Sequence, residues 1–206
     1  MEVAEQIITT NTSNIKVLKR DGRLEPLDID KIHFVVEEAC EGLTGVSSSQ
    51  IEINANIQFY DGITTKDIQH VLVKSANDLI TLENPNYQYA AARLLSYDVR
   101  KEAHGQYEYI PLLKLILRNI KLGVYDRTII EKYHKSEIKK FNTWIKRDRD
   151  LEFTYAGLRQ VVDKYLVQDR SSGEIYETPQ DMYMMIAATL FADYPKKTRM
   201  GYVKKY

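Results

Sequence analysis

The spacing of apolar residues along the chain predicts a mainly α-helical protein. After residue 28, apolar side chains recur three and four positions apart over long stretches, as they do on helices with one buried face. The pattern is strongest in the segment that begins at Thr64 or Thr65, where Asp67 lies in the first turn. We predict ten helices, at about 30–43, 47–58, 64–80, 85–103, 112–121, 126–133, 136–145, 153–165, 179–193 and 195–206.

Two stretches instead favour β-hairpins. The alternating residues 15–20 lead into Asp21-Gly22, a pair that tolerates the positive φ angles of a tight turn, and residues 23–27 form the return strand. Residues 166–168 and 174–176, separated by a polar loop, are expected to form the second hairpin.

The same pattern divides the chain into segments. Residues 1–14 lack a sustained period and are interpreted as a flexible arm. A glycine, a proline and several aromatic residues interrupt the helical period between Gly105 and Pro111, so the domain junction is placed there. We expect one domain at 15–104 and a second, helical domain at 105–206.

Composition narrows the classes of function. The 29 basic and 29 acidic residues give a net charge of +0, unlike a nonspecific nucleic-acid binder. No apolar run approaches the roughly 20 residues of a membrane span. The single cysteine, Cys40, falls on the apolar face of the first helix and is expected to be buried; it excludes an intramolecular disulfide or thiol pair. A cytoplasmic protein without nucleic-acid or membrane partners is expected.

Catalytic motifs are absent from the sequence. It contains no phosphate-binding glycine loop, no Gly-x-Ser-x-Gly and no His or Cys cluster with metal-ligand spacing. The four histidines lie on separate predicted segments and are expected at the surface or at helix ends: His33, His70, His104 and His134. Asp148 and Asp150 alternate with arginines, which favours an ion-pair network or helix cap over paired catalytic carboxylates.

Basic residues surround the first hairpin. Lys19 and Arg20 precede its turn, Lys31 lies in the first turn of the next helix, and Lys101 lies near the end of the fourth. Several cations together suit a polyphosphate, and neighbouring apolar residues suit a base. Spacing alone leaves two alternatives open, such a site or an ordinary solvated basic hairpin.

Longer motifs give the hairpin a context. In order and spacing, four strings resemble the ATP cone found at the N-terminus of many ribonucleotide reductase large subunits: residues 17–22, 30–32, 58–68 and 87–93. Further strings resemble the helical region that precedes the catalytic barrel in the class Ia large subunit: 105–108, 147–150, 164–167, 173–177 and 202–206. The resemblance covers nearly all of the chain after residue 14 and implies a cone of one hairpin and four helices, followed by a helical domain.

The resemblance implies an allosteric site for ATP as activator and dATP as inhibitor, with Mg²⁺. Lys19, Arg20 and Lys101 would hold phosphates, assisted by Thr65. Val17 and Ile32 would flank the adenine, while Glu25, Asp28 and Lys31 would complete the base and ribose contacts. The family pattern has Asn at position 28 and His at position 69. Gln69 donates hydrogen bonds but cannot become cationic, which puts discrimination between ATP and dATP in doubt.

The resemblance also implies that the catalytic cysteines of the family are not among these residues. The family's radical and reducing cysteines belong to a barrel outside these residues, so the chain is expected to be regulatory, oligomeric, and partnered by that catalytic remainder and a radical-generating small subunit. Two alternatives stay open: a structural fragment whose cone no longer binds nucleotide, and a cone-containing transcriptional repressor. The repressors carry a four-cysteine zinc ribbon before the cone, which residues 1–14 lack.

Overall fold

The computed structural model describes residues 15–19 and 21–206, and these residues form two compact units. The first unit contains the described residues up to Asp98 together with Glu152–Leu158; the second contains Val99–Leu151 and Arg159–Tyr206. The predicted arm, residues 1–14, and the candidate phosphate ligand Arg20 lie outside the described residues.

The first hairpin forms as its turn sequence predicts. Strand β1 (Lys16–Leu18) pairs antiparallel with β2 (Leu24–Pro26). Gly22 adopts a φ of 83°, and its amide donates to the Lys19 carbonyl at 3.0 Å. A glycine tolerates this left-handed conformation, which closes the turn within four residues.

A third strand, absent from our prediction, joins this hairpin. Strand β3 (Ile63–Thr64) runs parallel to β1, so β1 becomes the central strand of the sheet. The Asp61 carboxylate accepts from the Lys16 amide, and the Gly62 amide donates to the Lys16 carbonyl, both at 2.8 Å. Asp61 and Gly62 therefore attach their loop to β1.

Four helices complete the cone-like part of the chain: α1 (Ile29–Cys40), α2 (Ser48–Asn56), α3 (Thr65–Asp78) and α4 (Tyr87–His104). The first three begin after side chains that accept a backbone N–H of the first turn, namely Asp28, Ser47 and Thr64. The sequence had left the start of the third helix open between Thr64 and Thr65, and Thr64 is the cap. Arg93 of α4 donates to the carbonyls of Ala39 and Glu41, which lie at the end of α1.

The core of the first unit consists of apolar side chains with little or no exposed surface. Ile51, Ile63 and Ala76 have no exposed surface, and α4 contributes the small buried residues Ala90 and Ala91. Alanines permit helices to approach closely, as expected from the sequence. The mostly helical fold with a hairpin and four helices is thus confirmed for this part.

The second unit is built from shorter helices. They are α5 (Leu112–Lys121), α6 (Thr128–Lys132), α7 (Lys135–Asn142), a 3-10 helix (Arg147–Leu151), α8 (Tyr155–Lys164, shared between the units), α9 (Pro179–Leu190) and α10 (Lys196–Lys205). Predicted helix ends agree within a few residues, apart from the last turns after 142 and 190.

The second predicted hairpin is shorter than expected, with a single antiparallel bridge between Gln168 and Ile175. The Asp169 amide donates to the Glu174 carbonyl at 2.9 Å, and the Tyr176 amide donates to the Val167 carbonyl at 3.0 Å. The intervening loop is held by Asp169, whose carboxylate accepts from the Ser171 and Ser172 amides. Local side-chain to backbone bonds replace the rest of the ladder that alternation had suggested.

The terminal helices contribute to the core of the second unit. Ala187, Ala188 and Val203 are buried there with residues of α5 and α7. Ile186 and Leu190 remain 40% and 55% exposed, so the apolar side chains of α9 are only partly buried. Among residues 15–19 and 21–206, no helix is both long and apolar enough to cross a membrane.

Replacement of Ile63 by alanine tests the importance of β3. Ile63 is fully buried, so Ile63→Ala should lower the free energy of unfolding of the first unit by about 2 to 5 kcal/mol. Ile57, 81% exposed, is the matched control, and Ile57→Ala should change it by less than about 0.5 kcal/mol. Denaturant unfolding followed by circular dichroism measures both. Equal effects would contradict the assigned role of β3.

Candidate functional site

Six of the candidate residues lie on three consecutive elements of the first unit. Val17 belongs to β1 and Lys19 follows it directly, Glu25 belongs to β2, and Asp28 caps α1, which carries Lys31 and Ile32. The Lys19 ammonium lies 3.3 Å from the Glu25 carboxylate, and the Lys31 ammonium lies 2.7 Å from that of Asp28. The hairpin and the start of α1 thus present two adjoining ion pairs.

The two pairs influence each other electrostatically. The hydrogen bond from Lys31, with a smaller contribution from Lys19, lowers the pKa of Asp28. The bond to Asp28, with a smaller contribution from Glu25, raises the pKa of Lys31. All four side chains therefore form one charged cluster, at which cations and carboxylates alternate. Because the cluster is solvated, each pair contributes little to stability.

Val17 and Ile32 lie beneath this cluster. Val17 is 2% exposed and Ile32 is 9% exposed, so both are mainly core residues. Each leaves only an edge for contact with a base. The apolar residues that the resemblance places beside the adenine are therefore also part of the core of the first unit.

Thr65 comes close to Lys19 through the unpredicted strand. In the β1 and β3 register, Leu18 pairs with Thr64, so the start of α3 at Thr65 lies at the same end of β1 as Lys19. Thr65 opens α3, and the first N–H groups of a helix attract anions. The Thr64 hydroxyl donates to the Asp67 carboxylate at 2.7 Å and accepts from the Asp67 amide at 3.0 Å. These two bonds stabilise the start of the helix.

Gln69 faces another direction than the resemblance implied. Its amide nitrogen donates to the Leu94 carbonyl of α4 at 2.7 Å. That bond joins two helices and occupies a donor that would otherwise be available to a phosphate or sugar. The neighbouring His70 is exposed and its imidazole lies 3.8 Å from the Asp98 carboxylate.

Two phosphate ligands implied by the resemblance stay predictions. Lys101 lies exposed in the last turn of α4 and belongs to the second unit. Arg20 lies outside the described residues. The structure brings together Lys19, Glu25, Asp28 and Lys31. Thr65 begins the helix that follows β3.

A second group of charges, not anticipated from the sequence, is buried in the second unit. The His104 imidazole lies 3.2 Å and the Arg147 guanidinium 2.7 Å from the Asp181 carboxylate. His104 ends α4, as the helix-end alternative predicted, but the side chains of His104 and Asp181 are both fully buried. These charges lower the pKa of Asp181 against the opposing effect of burial.

Asp150 also departs from its expected role. The sequence suggested an exposed ion pair or cap, but the residue is completely buried and neither carboxylate oxygen has a hydrogen bond of good geometry. Burial and the nearby Asp181 carboxylate raise the pKa of Asp150 from 3.8 to about 7. Arg147 only partly offsets this, because it is paired with Asp181.

One sequence signal for this buried group existed. Thr178 and Asp181 form a capping box, in which Asp181 accepts from the Thr178 amide at 3.2 Å. The Thr-Pro-x-Asp order is a helix-start signature, and it locates Asp181 in the first turn of α9. It does not reveal that His104, 77 positions earlier in the sequence, packs against it.

Cys40 is unsuited to thiol chemistry. It is partly rather than fully buried, and desolvation raises its pKa from 9.0 to about 11. The thiol therefore remains protonated near neutral pH, and a protonated thiol is a poor nucleophile.

Family models match both parts of the chain. Residues 15–102 match the ATP cone domain, and residues 151–206 match the all-alpha domain of ribonucleotide reductase. Two segments of the chain thus match these two domain families, in this order.

Relatives with both parts are reductase large subunits. The chain is 47% identical over 193 residues to ribonucleoside-diphosphate reductase 1 subunit alpha of Escherichia coli K12, which covers 94% of the chain and 25% of the relative. The alpha subunits of Haemophilus influenzae and phage T4 are both 42% identical, over 94% and 88% of the chain. The chain spans about a quarter of the length of these relatives.

Asp150→Asn should remove a pH-dependent loss of stability. The folded-state pKa, about 7, lies above the unfolded value of 3.8, so the unfolded chain loses this proton near pH 4 whereas the folded protein keeps it up to about pH 7, and the free energy of unfolding falls as the pH rises between these values. Burial of the ionised carboxylate then destabilises the fold. Relative to the parent, the variant should gain roughly 2 to 4 kcal/mol between pH 4 and 8.

The measurement is the free energy of unfolding across that pH range. Asp148→Asn is the matched control, because Asp148 is exposed in the same 3-10 helix and should show no such gain. A gain that is independent of pH, or equal in both variants, would contradict the assigned ionisation of Asp150.

Proposed function

We propose that the first unit binds ATP and dATP as allosteric effectors, and that the chain is the N-terminal regulatory part of a class Ia ribonucleotide reductase large subunit. The observation that carries the proposal is the charged cluster of Lys19, Glu25, Asp28 and Lys31 beside the start of α3, within the segment that matches the ATP cone. Enzymatic reduction of ribonucleotides to deoxyribonucleotides is assigned to the remainder of such a protein.

Phosphate binding by Lys19 proceeds by exchange of partners. In this structure the ammonium is paired with Glu25, and both side chains are partly exposed. Such a pair is held by at most about 1 kcal/mol, whereas a triphosphate offers several negative charges to one ammonium. A triphosphate therefore displaces Glu25 at little cost. Glu25 then keeps its second partner, the Arg23 guanidinium at 3.0 Å, and its other oxygen becomes an acceptor for hydroxyl or amino groups of the ligand.

Thr65 and the start of α3 would receive the same phosphate chain. Thr65 supplies a hydroxyl, and the helix start supplies N–H groups and a favourable dipole. Asp28 and Lys31 lie on the other side of Lys19 along α1 and would contact base and ribose, as the resemblance implies. Mg²⁺ would enter with the triphosphate, whose oxygens are the ligands that this ion prefers.

The wider assignment follows from the relatives. They are named as reductase alpha subunits, and the chain corresponds to about a quarter of their length. We propose that it acts with a catalytic remainder of the large subunit and a radical-generating small subunit, in a cytoplasmic oligomer. The all-alpha reductase domain at 151–206 disfavours the transcriptional repressor, which is the other cone-containing class considered.

A cone that no longer binds nucleotide is the second candidate. Gln69, where the family pattern has His, uses its amide to hold α3 against α4, and Asp28, where the pattern has Asn, is paired with Lys31. Both residues support the structure without a ligand. Binding measurements separate this candidate from the first.

Nucleotide binding should raise the melting temperature of the chain. A ligand that binds only the folded state stabilises it by about 2 to 3 kcal/mol at a concentration about 100 times its Kd. Lys19→Ala should weaken binding of both ATP and dATP by about 1 to 3 kcal/mol, through loss of a charge-assisted contact. Thermal unfolding and calorimetric titration, with Mg²⁺ present, measure these effects.

Lys74→Ala provides the matched control in the same unit. Lys74 is exposed on α3 and pairs with Asp78 one turn further along, away from the cluster. Its replacement should leave both affinities unchanged. Absence of a thermal shift with either nucleotide at millimolar concentration would favour the non-binding cone, and equal weakening by both variants would exclude Lys19 as a specific ligand.

A further inference from the structure

The second unit contains a cavity of about 730 Å³ that the cone does not involve. It lies between the segment that follows α7 and the two terminal helices, with Ala187 of α9 and Val203 of α10 on its apolar floor. The volume falls within the roughly 300 to 1,000 Å³ of small-ligand sites.

The charge of this cavity has one sign. Four basic residues line it, Lys146, Arg149, Lys204 and Lys205, and no aspartate or glutamate does. Within the described part of the chain, none of the four has a carboxylate partner within ion-pair distance. Lys19, Arg147 and Arg199, by contrast, are each paired with a carboxylate. Four cations at one opening attract an anion of several charges.

Aromatic rings form the walls beside these cations. Trp144, Tyr183 and Tyr206 line the cavity, and the two tyrosines are 44% and 71% exposed. Trp144 packs against Phe141, with ring centroids 5.7 Å apart. The Lys204 ammonium lies 5.9 Å from the centroid of the Trp144 ring. An exposed aromatic ring next to cations provides a stacking surface for a base and a counter-charge for its phosphates.

We propose that this cavity is a binding site for a nucleoside polyphosphate, with the base against Trp144, beside the two tyrosines, and the phosphates at the four cations. The proposal goes beyond the cone, because none of these residues belongs to the first unit. A free polyphosphate would leave the aromatic walls unused. A long nucleic-acid strand needs a basic groove rather than a single enclosed cavity in a chain of zero net charge.

The chain carries its own probe for this site. Trp144 is the only tryptophan in the sequence, so stacking of a base there changes the whole of the tryptophan fluorescence. Titration of the 206-residue chain with ATP should give saturable quenching. The titration uses the Lys19→Ala variant, in which the proposed cone site is weakened. The titration therefore reports binding at the cavity separately from binding at the cone. Either proposal can be contradicted while the other stands.

Paired variants test the charge requirement. Arg149→Ala combined with Lys205→Ala removes two cations from the cavity and should weaken the quenching at least about tenfold. Lys164→Ala combined with Lys197→Ala removes two exposed cations of the same unit that do not line it, and should leave the titration unchanged. Tyr206→Leu should also weaken binding, because it removes a stacking surface and keeps Trp144 in place.

Inorganic triphosphate and adenosine complete the test. Each should bind at least about tenfold more weakly than ATP, since each satisfies only one half of the cavity. Triphosphate binding as strong as that of ATP would overturn the nucleoside part of the proposal. Absence of saturable quenching by millimolar ATP, or equal weakening by the two double variants, would overturn the site altogether.

Discussion

The pairing of β1 with strands on both of its edges is the interaction on which the candidate site depends. Three residues of β1 bond to β2 on one side and to β3 on the other, and Asp61 and Gly62 fasten the incoming loop to Lys16. The hairpin alone would place Lys19 beside Glu25. The parallel partner brings the start of α3 to the same end of the strand, and a cation and a helix N-terminus thereby meet.

Charge is handled differently in the two units. Around the hairpin, cations and carboxylates are paired in solvent, where the pairs are weak and exchange readily for a more highly charged ligand. His104, Arg147 and Asp181 are instead withdrawn from water, where removal of one partner leaves an uncompensated charge. The first arrangement suits reversible binding and the second suits a fixed structure. Asp150 is the exception, since it is buried without an ion partner of its own.

Local signals proved sufficient for most of the elements. Asp28, Ser47 and Thr64 cap the helices that their positions predicted, and Gly22 closes the first turn. These features involve residues within four positions of each other, so the sequence contains both partners of each bond. At residues 166–176 the same reasoning predicted two strands, but only one residue pair forms a bridge. Alternation does not show how many residues of a strand are paired.

By itself the sequence determined the helices, the first hairpin and the ordered motifs that resemble a cone and the helical region after it. Tertiary structure alone decided where the side chains of those motifs are used. Gln69 bonds to α4, His104 packs against Asp181, and β3 joins a strand 46 residues earlier. Periodicity reports which face of an element is buried, whereas hydrogen-bond partners and pKa values depend on what that face meets. Contacts between residues far apart in the chain are set only when the whole core packs.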